Sequence, residues 1–432
     1  MEWTEVIVLV IAFATLMALG VPISFCIGIA TIATMLITIQ TAPSVTTVAQ
    51  RMATGLDSFA LLAIPFFILS GQLMNRGGIA RRLIDLAKVL VGMLPGGLAF
   101  VNILASMLFG SISGSAVAAA SAIGGFMTPL MDKEGYDRGY SAAVNISSAT
   151  TGMLIPPSNI LIVYSLASGG VSIAALFLAG YLPGILMGLA IMIVAASIAV
   201  LRKYPVGSGF RLGESVKRFL DAIPSLLLIL IVMGGIIGGY FTATEASAVA
   251  VLYTFILSVL IYREVKFKEL PSVLLSTALT TAVVMLLIGT SMGMSWILAY
   301  TNIPQTVSTA LIALTENKFA ILLIINFILL FVGAFMDMTP AVLIFTPIFL
   351  PVAIGLGIDP IHFGIMMVMN LCIGLCTPPV GSVLFVGCGI ADVSISKVIR
   401  PLVPMFLAMI AALMLVTYIP EITMFLPKFF GY

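Results

Sequence analysis

The chain has 432 residues, 61% of them hydrophobic and only 8% charged, with a mean hydropathy of +1.24. A soluble domain carries about 25% charged residues, which excludes a soluble globular protein, and a net charge of +2 implies no nucleic-acid partner. Apolar stretches near the ~20 residues that cross a bilayer, with no period-two alternation, predict an all-α polytopic membrane protein in a lipid bilayer rather than a β-barrel.

The chain opens MEWTEVIVLV, with two acids and no basic segment, so no cleaved signal peptide is expected and the first span stays. Five basic clusters orient the spans: Arg76, Arg81, Arg82 and Lys88; Lys133 and Arg138; Arg202, Lys203, Arg211, Lys217 and Arg218; Arg263, Lys266 and Lys268; and Lys397 with Arg400. The positive-inside rule puts all five in the cytoplasm. The stretches 40–56, 301–318 and 356–360 are poor in basic residues and are read as outer connections. Segments 5–20, 22–39 and 57–75 then run in, out and in, and 79–92 lies along the cytoplasmic surface as an amphipathic arm. Residues 97–131 are flanked by basic residues on both sides, yet are too few for two crossings of ~20 residues and a turn. They are read as a re-entrant hairpin with its tip at GSISGS, residues 110–115. Segment 139–170 crosses outward and 172–202 returns.

The second half repeats the first at an offset of 222. Pro156-Pro157 falls on Pro378-Pro379, Pro129 on Pro351, Gly135 on Gly357, Asp137 on Asp359, and Val171-Ser172-Ile173 on Val393-Ser394-Ile395. Segments 222–240, 244–262 and 271–300 run out, in and out, and 304–316 lies on the outer surface. Residues 319–355 form a hairpin from the outside with its tip at GAFMDMTP, residues 333–340. Then 361–390 crosses inward and 401–426 outward, leaving both termini in the periplasm. An odd number of crossings per half makes the two repeats inverted.

Irregular backbone at membrane depth is tolerated only where protein buries it or where it lines a cavity. The two tips and the two Pro-Pro breaks, 153–159 and 375–382, are four such places. Their carbonyl ends suit Na⁺ and their N–H ends suit an anion. One cation site is expected among Gly110, Ser113, Gly114 and Ser115 with Asn145, Thr150 and Gly152. Its mate would use Gly333, Asp337 and Thr339 with Gly374, Cys376 and Thr377. Asp337 stands 222 positions after Ser115, and an acid at membrane depth marks function by default. It can also cap the second half-hairpin through the N–H groups of Thr339 or nearby, and the two roles are compatible. Ser158 and Asn159 follow Pro-Pro and could meet a substrate, though Ser158 equally suits a helix N-cap.

Other polar residues read as structural. Glu245 with Thr244 caps the turn YFTATEAS; His362 begins a helix; Asn326 and Asn370 pair helices. Cys26, Cys372, Cys376 and Cys388 all sit in apolar segments and read as packing, the i,i+4 pair Cys372 and Cys376 included. No GxxxxGK[ST] is present, so the chain is not expected to hydrolyse nucleotide, and the spans offer no paired Asp/Asp, Ser/His or HExxH for a membrane enzyme.

Several segments together resemble the large membrane subunit of the tripartite ATP-independent periplasmic (TRAP) transporters, within the ion-transporter superfamily. They are LDSFALLAIPFFILSGQLMNRGGIARRLIDLAKVLVG (56–92), LFGSISGSAVA (108–118), IPPSNILIVYS (155–165), FTATEASAVAVLY (241–253), FMDMTPAVLIFTPIFLPVA (335–353) and LCTPPVGSVLFV (375–386). The resemblance implies a secondary transporter of the bacterial inner membrane that imports an organic acid, driven by two or more co-transported Na⁺. It implies two partners, a small membrane subunit of about four helices and a periplasmic substrate-binding protein. It further implies an elevator: scaffold helices and arms in 1–96 and 203–316, and a moving unit of hairpins and broken helices in 97–202 and 317–432. Ser111, Ser113, Ser115, Ser158 and Asp337 match the positions that line the family's ion and substrate region, with Pro157, Asn159 and Pro379 beside them. A stand-alone Na⁺/carboxylate symporter of the same architecture is the second reading. No arginine lies between Arg263 and Arg400, so a carboxylate would rely on half-helix N-termini, hydroxyls and Asn. Sialic acid, other sugar acids and C4-dicarboxylates all remain open as substrates.

Overall fold

The computed structural model describes residues 2–205, 212–315, 317–378 and 380–432; Arg211 and Pro379, singled out above, lie outside the described residues. The first half holds α1 (Glu2–Ala18), α2 (Ile23–Thr38), α3 (Thr41–Leu56), α4 (Ala63–Arg76), α5 (Ile79–Val91), α6 (Gly97–Ser113), α7 (Ala116–Lys133), α8 (Arg138–Ala149), α9 (Asn159–Ala167) and α10 (Ile173–Leu201). The second holds α11 (Leu212–Ile237), α12 (Ala243–Phe255), α13 (Leu270–Tyr300), α14 (Ile303–Leu314), α15 (Lys318–Phe335), α16 (Met338–Gly355), α17 (Pro360–Gly374), α18 (Ser382–Ala391), α19 (Ile395–Tyr418) and α20 (Glu421–Phe429). Among the described residues, eight helical segments are long and apolar enough to cross a membrane.

The repeat survives in three dimensions. α7 and α16 begin and end 222 residues apart, and their partners are exchanged: α7 packs on α18 while α16 packs on α9. Likewise α8 packs on α19 while α17 packs on α10, and α10 and α19 pack on each other. Such swapped pairing is what a pseudo-twofold axis produces. The caps repeat too. Asp137 accepts from the Tyr140 N–H at 2.8 Å to start α8, and Asp359 accepts from the Ile361 N–H at 2.8 Å to start α17.

Two departures from the sequence expectation arise where the halves differ. Residues 40–56, expected as an outer connection, hold the helix α3, whose sparse apolar residues hide it from a hydropathy reading. Only Ser44 and Val48 of it are buried, and Val48 joins Met35 of α2 and Ile297 of α13 in a small separate core. At the repeat offset, α3 and α4 together correspond to the single 31-residue α13. The first half is interrupted by Asp57-Ser58 and a short 3₁₀ turn at Phe59–Leu62 where the second runs on. The converse happens at the end, where the continuous α10 corresponds to α19 and α20, broken at Ile419-Pro420.

The break before Pro420 explains the lone histidine. Helix ends leave carbonyls without intrahelical donors. His362 Nε2 lies 3.3 Å from the Thr417 carbonyl, and Nδ1 lies 2.8 Å from Thr423 Oγ1 across the break. Asn370 Nδ2 donates to Asn326 Oδ1 at 2.7 Å, and Asn326 Nδ2 donates to Thr417 Oγ1 at 3.1 Å. These asparagines and the histidine therefore hold helices together, as expected. Glu245 is also a cap, but its partner is Thr242: Glu245 Oε2 accepts from the Thr242 N–H at 2.8 Å, and Thr242 Oγ1 accepts from the Glu245 N–H at 3.3 Å. Thr244 instead donates to the Phe59 carbonyl at 3.1 Å, tying α12 to the 3₁₀ turn.

Two glycine-on-glycine contacts set how closely each hairpin meets its broken helix. A Cβ on Gly110 would stand 2.8 Å from Gly152 Cα, and one on Gly374 would stand 2.6 Å from Gly333 Cα. Backbone on both sides of a contact cannot yield as a side chain can. Gly152→Ala is therefore expected to cost about 1–3 kcal/mol and lower the melting temperature of the purified protein. Gly125→Ala in α7, where a Cβ meets nothing within 4 Å, is the control and is expected to be neutral or slightly stabilising.

Candidate functional site

At the first hairpin tip, α6 ends at Ser113 and the chain reverses through Gly114 at φ +61°. A side chain there is disfavoured twice, by the left-handed backbone and by Asn159 Nδ2 2.8 Å from where its Cβ would lie. Ser115 comes next as the N-cap of α7, its Oγ accepting from the Ala118 N–H at 3.2 Å. At the second tip, α15 ends at Phe335, Met336 bridges, and Asp337 takes the N-cap position of α16. Unlike Ser115, Asp337 makes no capping bond to the Thr339 N–H; its carboxylate accepts instead from the neighbouring Met338 N–H.

Both tips face one cavity of about 390 Å³. Ser113, Gly114, Ser115, Asn159, Asp337 and Thr339 line it from the hairpins and the first broken helix. Asp337 is exposed into it. Across the cavity stand Gln72 and Asn75 of α4 and Thr280 of α13, with Gly71 closing the approach. The gap between Gly71 and the tip is narrow: a Cβ on Gly71 would stand 2.8 Å from the Ser113 carbonyl oxygen. Among the described lining residues there is no Arg, Lys or His.

The remaining residues of the expected sites lie behind this cavity. Ser111 donates to the Leu108 carbonyl at 2.8 Å, and Thr150 to the Ser147 carbonyl at 3.0 Å. Thr377 donates to the Ile373 carbonyl at 3.0 Å. Ser158 heads α9 but does not cap it with its hydroxyl, which donates to the Met153 carbonyl across the Pro156-Pro157 break. Asn145 Nδ2 donates to the Ala120 carbonyl at 2.9 Å, while its Oδ1 is buried without a partner. Cys376 Sγ reaches the Ile146 carbonyl at 3.4 Å and lies 4.0 Å from Thr150 Oγ1, so the second break packs directly on the first broken helix. Gly110, Gly152, Gly333 and Gly374 provide the close contacts described above. The structure thus divides the expected residues into a cavity-lining group and a supporting group, rather than two equivalent clusters.

Gln72, Asn75 and Thr280 escaped the sequence reading. The signal was present, since SGQLMNR interrupts the apolar span 57–75 with polar residues. Their relevance depends on which face of α4 meets the tips, and only packing decides that.

The family model described as "Tripartite ATP-independent periplasmic transporter, DctM component" matches residues 10–422. The Salmonella typhimurium protein YgiK is 56% identical over 426 residues, covering 99% of this chain and 98% of its own. The C4-dicarboxylate TRAP transporter large permease protein DctM of Pseudomonas aeruginosa is 40% identical over 388 residues, covering 90% and 91%. Among solved structures, the YdaH transporter of Alcanivorax borkumensis shares the fold with a TM-score of 0.61 at 14% identity, covering 86% of each chain.

The cavity is open to a chemical check. Thr339→Cys is expected to react with a small maleimide in the folded protein, because position 339 is partly exposed on the cavity wall. Cys372 and Cys376, at 0% and 1% exposure, should stay unlabelled until the protein is unfolded. A Thr339→Cys variant that labels no faster than those two would remove residue 339 from an accessible wall.

Proposed function

This chain belongs to the DctM component family of the tripartite ATP-independent periplasmic transporters, a transporter component and not an enzyme, and we propose that it imports an organic acid coupled to Na⁺. The observation that carries the reading is the exposed carboxylate of Asp337 facing, across one cavity, a hairpin tip of Ser and Gly backbone inside an apolar protein. The named relative that takes C4-dicarboxylates supports an acidic substrate.

The chemistry of the cavity accounts for coupling. α7 and α16 present their N-termini to it through Ser115 and Asp337, and Asn159 of α9 lines it too. Helix N-termini carry partial positive charge and free N–H groups, which suit a carboxylate where no Arg or Lys is at hand. Asp337 opposes this, because a second anion beside an uncompensated carboxylate is repelled strongly in a medium of low dielectric. A Na⁺ bound with Asp337 and nearby hydroxyl or carbonyl oxygens removes the repulsion. The ion and the acid then favour each other's binding, and the gradient of one drives the other. The buried unpartnered oxygen of Asn145 supports a further cation position behind the first tip.

The cavity wall supports an elevator. One side belongs to α4 and α13, the other to the hairpins and the first broken helix, so sliding the second group along the first would carry the site without dismantling it. Gln72 and Asn75 sit in the last turns of α4, next to the basic cluster that begins at Arg76. With basic residues in the cytoplasm of an inner-membrane protein, this arrangement corresponds to an inward-facing state. The tripartite family supports a small membrane subunit and a periplasmic binding protein that delivers the acid.

Reconstitution tests each element. Uptake into proteoliposomes, with the cognate binding protein and small subunit present, is expected to need an inward Na⁺ gradient. Asp337→Asn should reduce Na⁺-driven uptake by at least about tenfold, the loss of roughly one transition-relevant interaction of 1.4 kcal/mol, while the variant still purifies as a monodisperse protein. Unchanged Na⁺ dependence in that variant would remove Asp337 from the ion site. Uptake surviving collapse of the gradient would overturn the coupling, and uptake without the binding protein would favour a stand-alone symporter.

A further inference from the structure

On the basic face of the molecule, α5, α7 and α11 enclose a second cavity, of about 370 Å³, separate from the one between the hairpin tips. Arg81, Lys88, Lys133 and Arg218 line it, and Asp85 is the one acid among its described lining residues. Asp85 Oδ1 lies 3.8 Å from Lys88 Nζ and 3.9 Å from the Arg218 guanidinium, so a single carboxylate is shared by two cations. Arg81 and Lys133 form no ion pair among the described residues. Four cations around one carboxylate attract a further anion.

The rest of the wall says which kind of anion. Ile84, Phe126, Pro129 and Leu130 are apolar and continuous with the charged rim, and Phe126 is 53% exposed. A free inorganic anion gains nothing from an apolar strip. A molecule with a phosphate at one end and hydrocarbon at the other matches both parts, and the location suits it. Lys88 and Lys133 stand in the last turns of the surface arm α5 and of the hairpin helix α7, within the basic clusters expected at the headgroup layer, and basic pockets between helices at that level hold anionic headgroups.

We propose that this cavity binds an anionic phospholipid, its phosphate among Arg81, Lys88, Lys133 and Arg218 and an acyl chain along Phe126, Pro129 and Leu130. The lipid bridges the surface arm α5 to the first hairpin. The site does not depend on the transport reading, because charge and apolar wall are properties of the cavity itself.

Native mass spectrometry of the detergent-purified chain tests it, with palmitoyl-oleoyl phosphatidylglycerol and the matching phosphatidylcholine added separately. Phosphatidylglycerol is expected to remain bound at collision energies that strip phosphatidylcholine. Each lost cation should weaken binding about fivefold, so R81Q/K133Q should weaken it about twenty-five-fold. Lys268→Gln, outside the cavity, should leave it unchanged. Equal retention of the two lipids would overturn the proposal without need of any variant, and so would unaltered phosphatidylglycerol binding by R81Q/K133Q. Inorganic phosphate that displaces the bound phosphatidylglycerol would assign the cations to a free anion instead.

Discussion

Inside a bilayer a peptide group without a partner has no water to fall back on, and each unsatisfied one costs several kcal/mol. This chain breaks its helices four times at the depth its apolar flanks imply, and protein packs against each break. Glycine makes the cover close. Gly110 rests on Gly152, and Gly333 on Gly374, so each hairpin arm lies backbone to backbone against the broken helix of its own half. Leftover carbonyls find side-chain donors nearby, as Met153 does from Ser158 and Ile146 from Cys376. What stays uncovered is the small region where the two tips face each other.

The pseudo-twofold relation builds a frame from two equal halves, and the sites of difference show where equality ends. Ser115 and Asp337 occupy equivalent N-cap positions, yet the hydroxyl is consumed by the Ala118 N–H and the carboxylate is left facing the cavity. A neutral cap lowers the cost of a helix start, whereas an acid without a counter-charge in an apolar protein raises it. Under the proposed reading that cost is offset when a cation binds, which places the coupling at a hairpin tip where one repeat carries a charge and the other a hydroxyl. The long helices diverge in a similar way. α13 runs unbroken where α3 and α4 are separate, and α19 and α20 are separate where α10 runs unbroken, so each half is interrupted once where the other is not.

A good part of the architecture was legible because membrane helices obey few and strict rules. Apolar length, basic flanks and a 222-residue echo of prolines and glycines located both hairpins and both broken helices. α3 was missed because it is a half-exposed helix with little apolar content, and hydropathy has no signal for such an element. The cap at Glu245 was read correctly as a cap, but assigned to Thr244; the hydroxyl three residues before the acid, Thr242, completes the box. Gln72, Asn75 and Thr280 were overlooked because nothing local marks which polar residue of a span will meet a tip far along the chain.

The sequence by itself determined that the chain is an all-α membrane protein of two related halves, that its turns at GSISGS and AFMDMTP lie at depth, and that Asp337 stands where its repeat carries a serine. Those conclusions rest on composition, spacing and the cost of bare backbone in lipid, which act along the chain. The tertiary structure alone decided which candidates share a cavity and which only support it. Ser115, Asn159, Asp337 and Thr339 reach the open space, while Ser111, Ser113, Thr150, Ser158 and Thr377 turn their hydroxyls onto carbonyls of their own neighbourhood. A hydroxyl is a good ligand in any sequence. Whether it is free for one depends on the nearest unsatisfied carbonyl, and that is fixed only when the helices have packed.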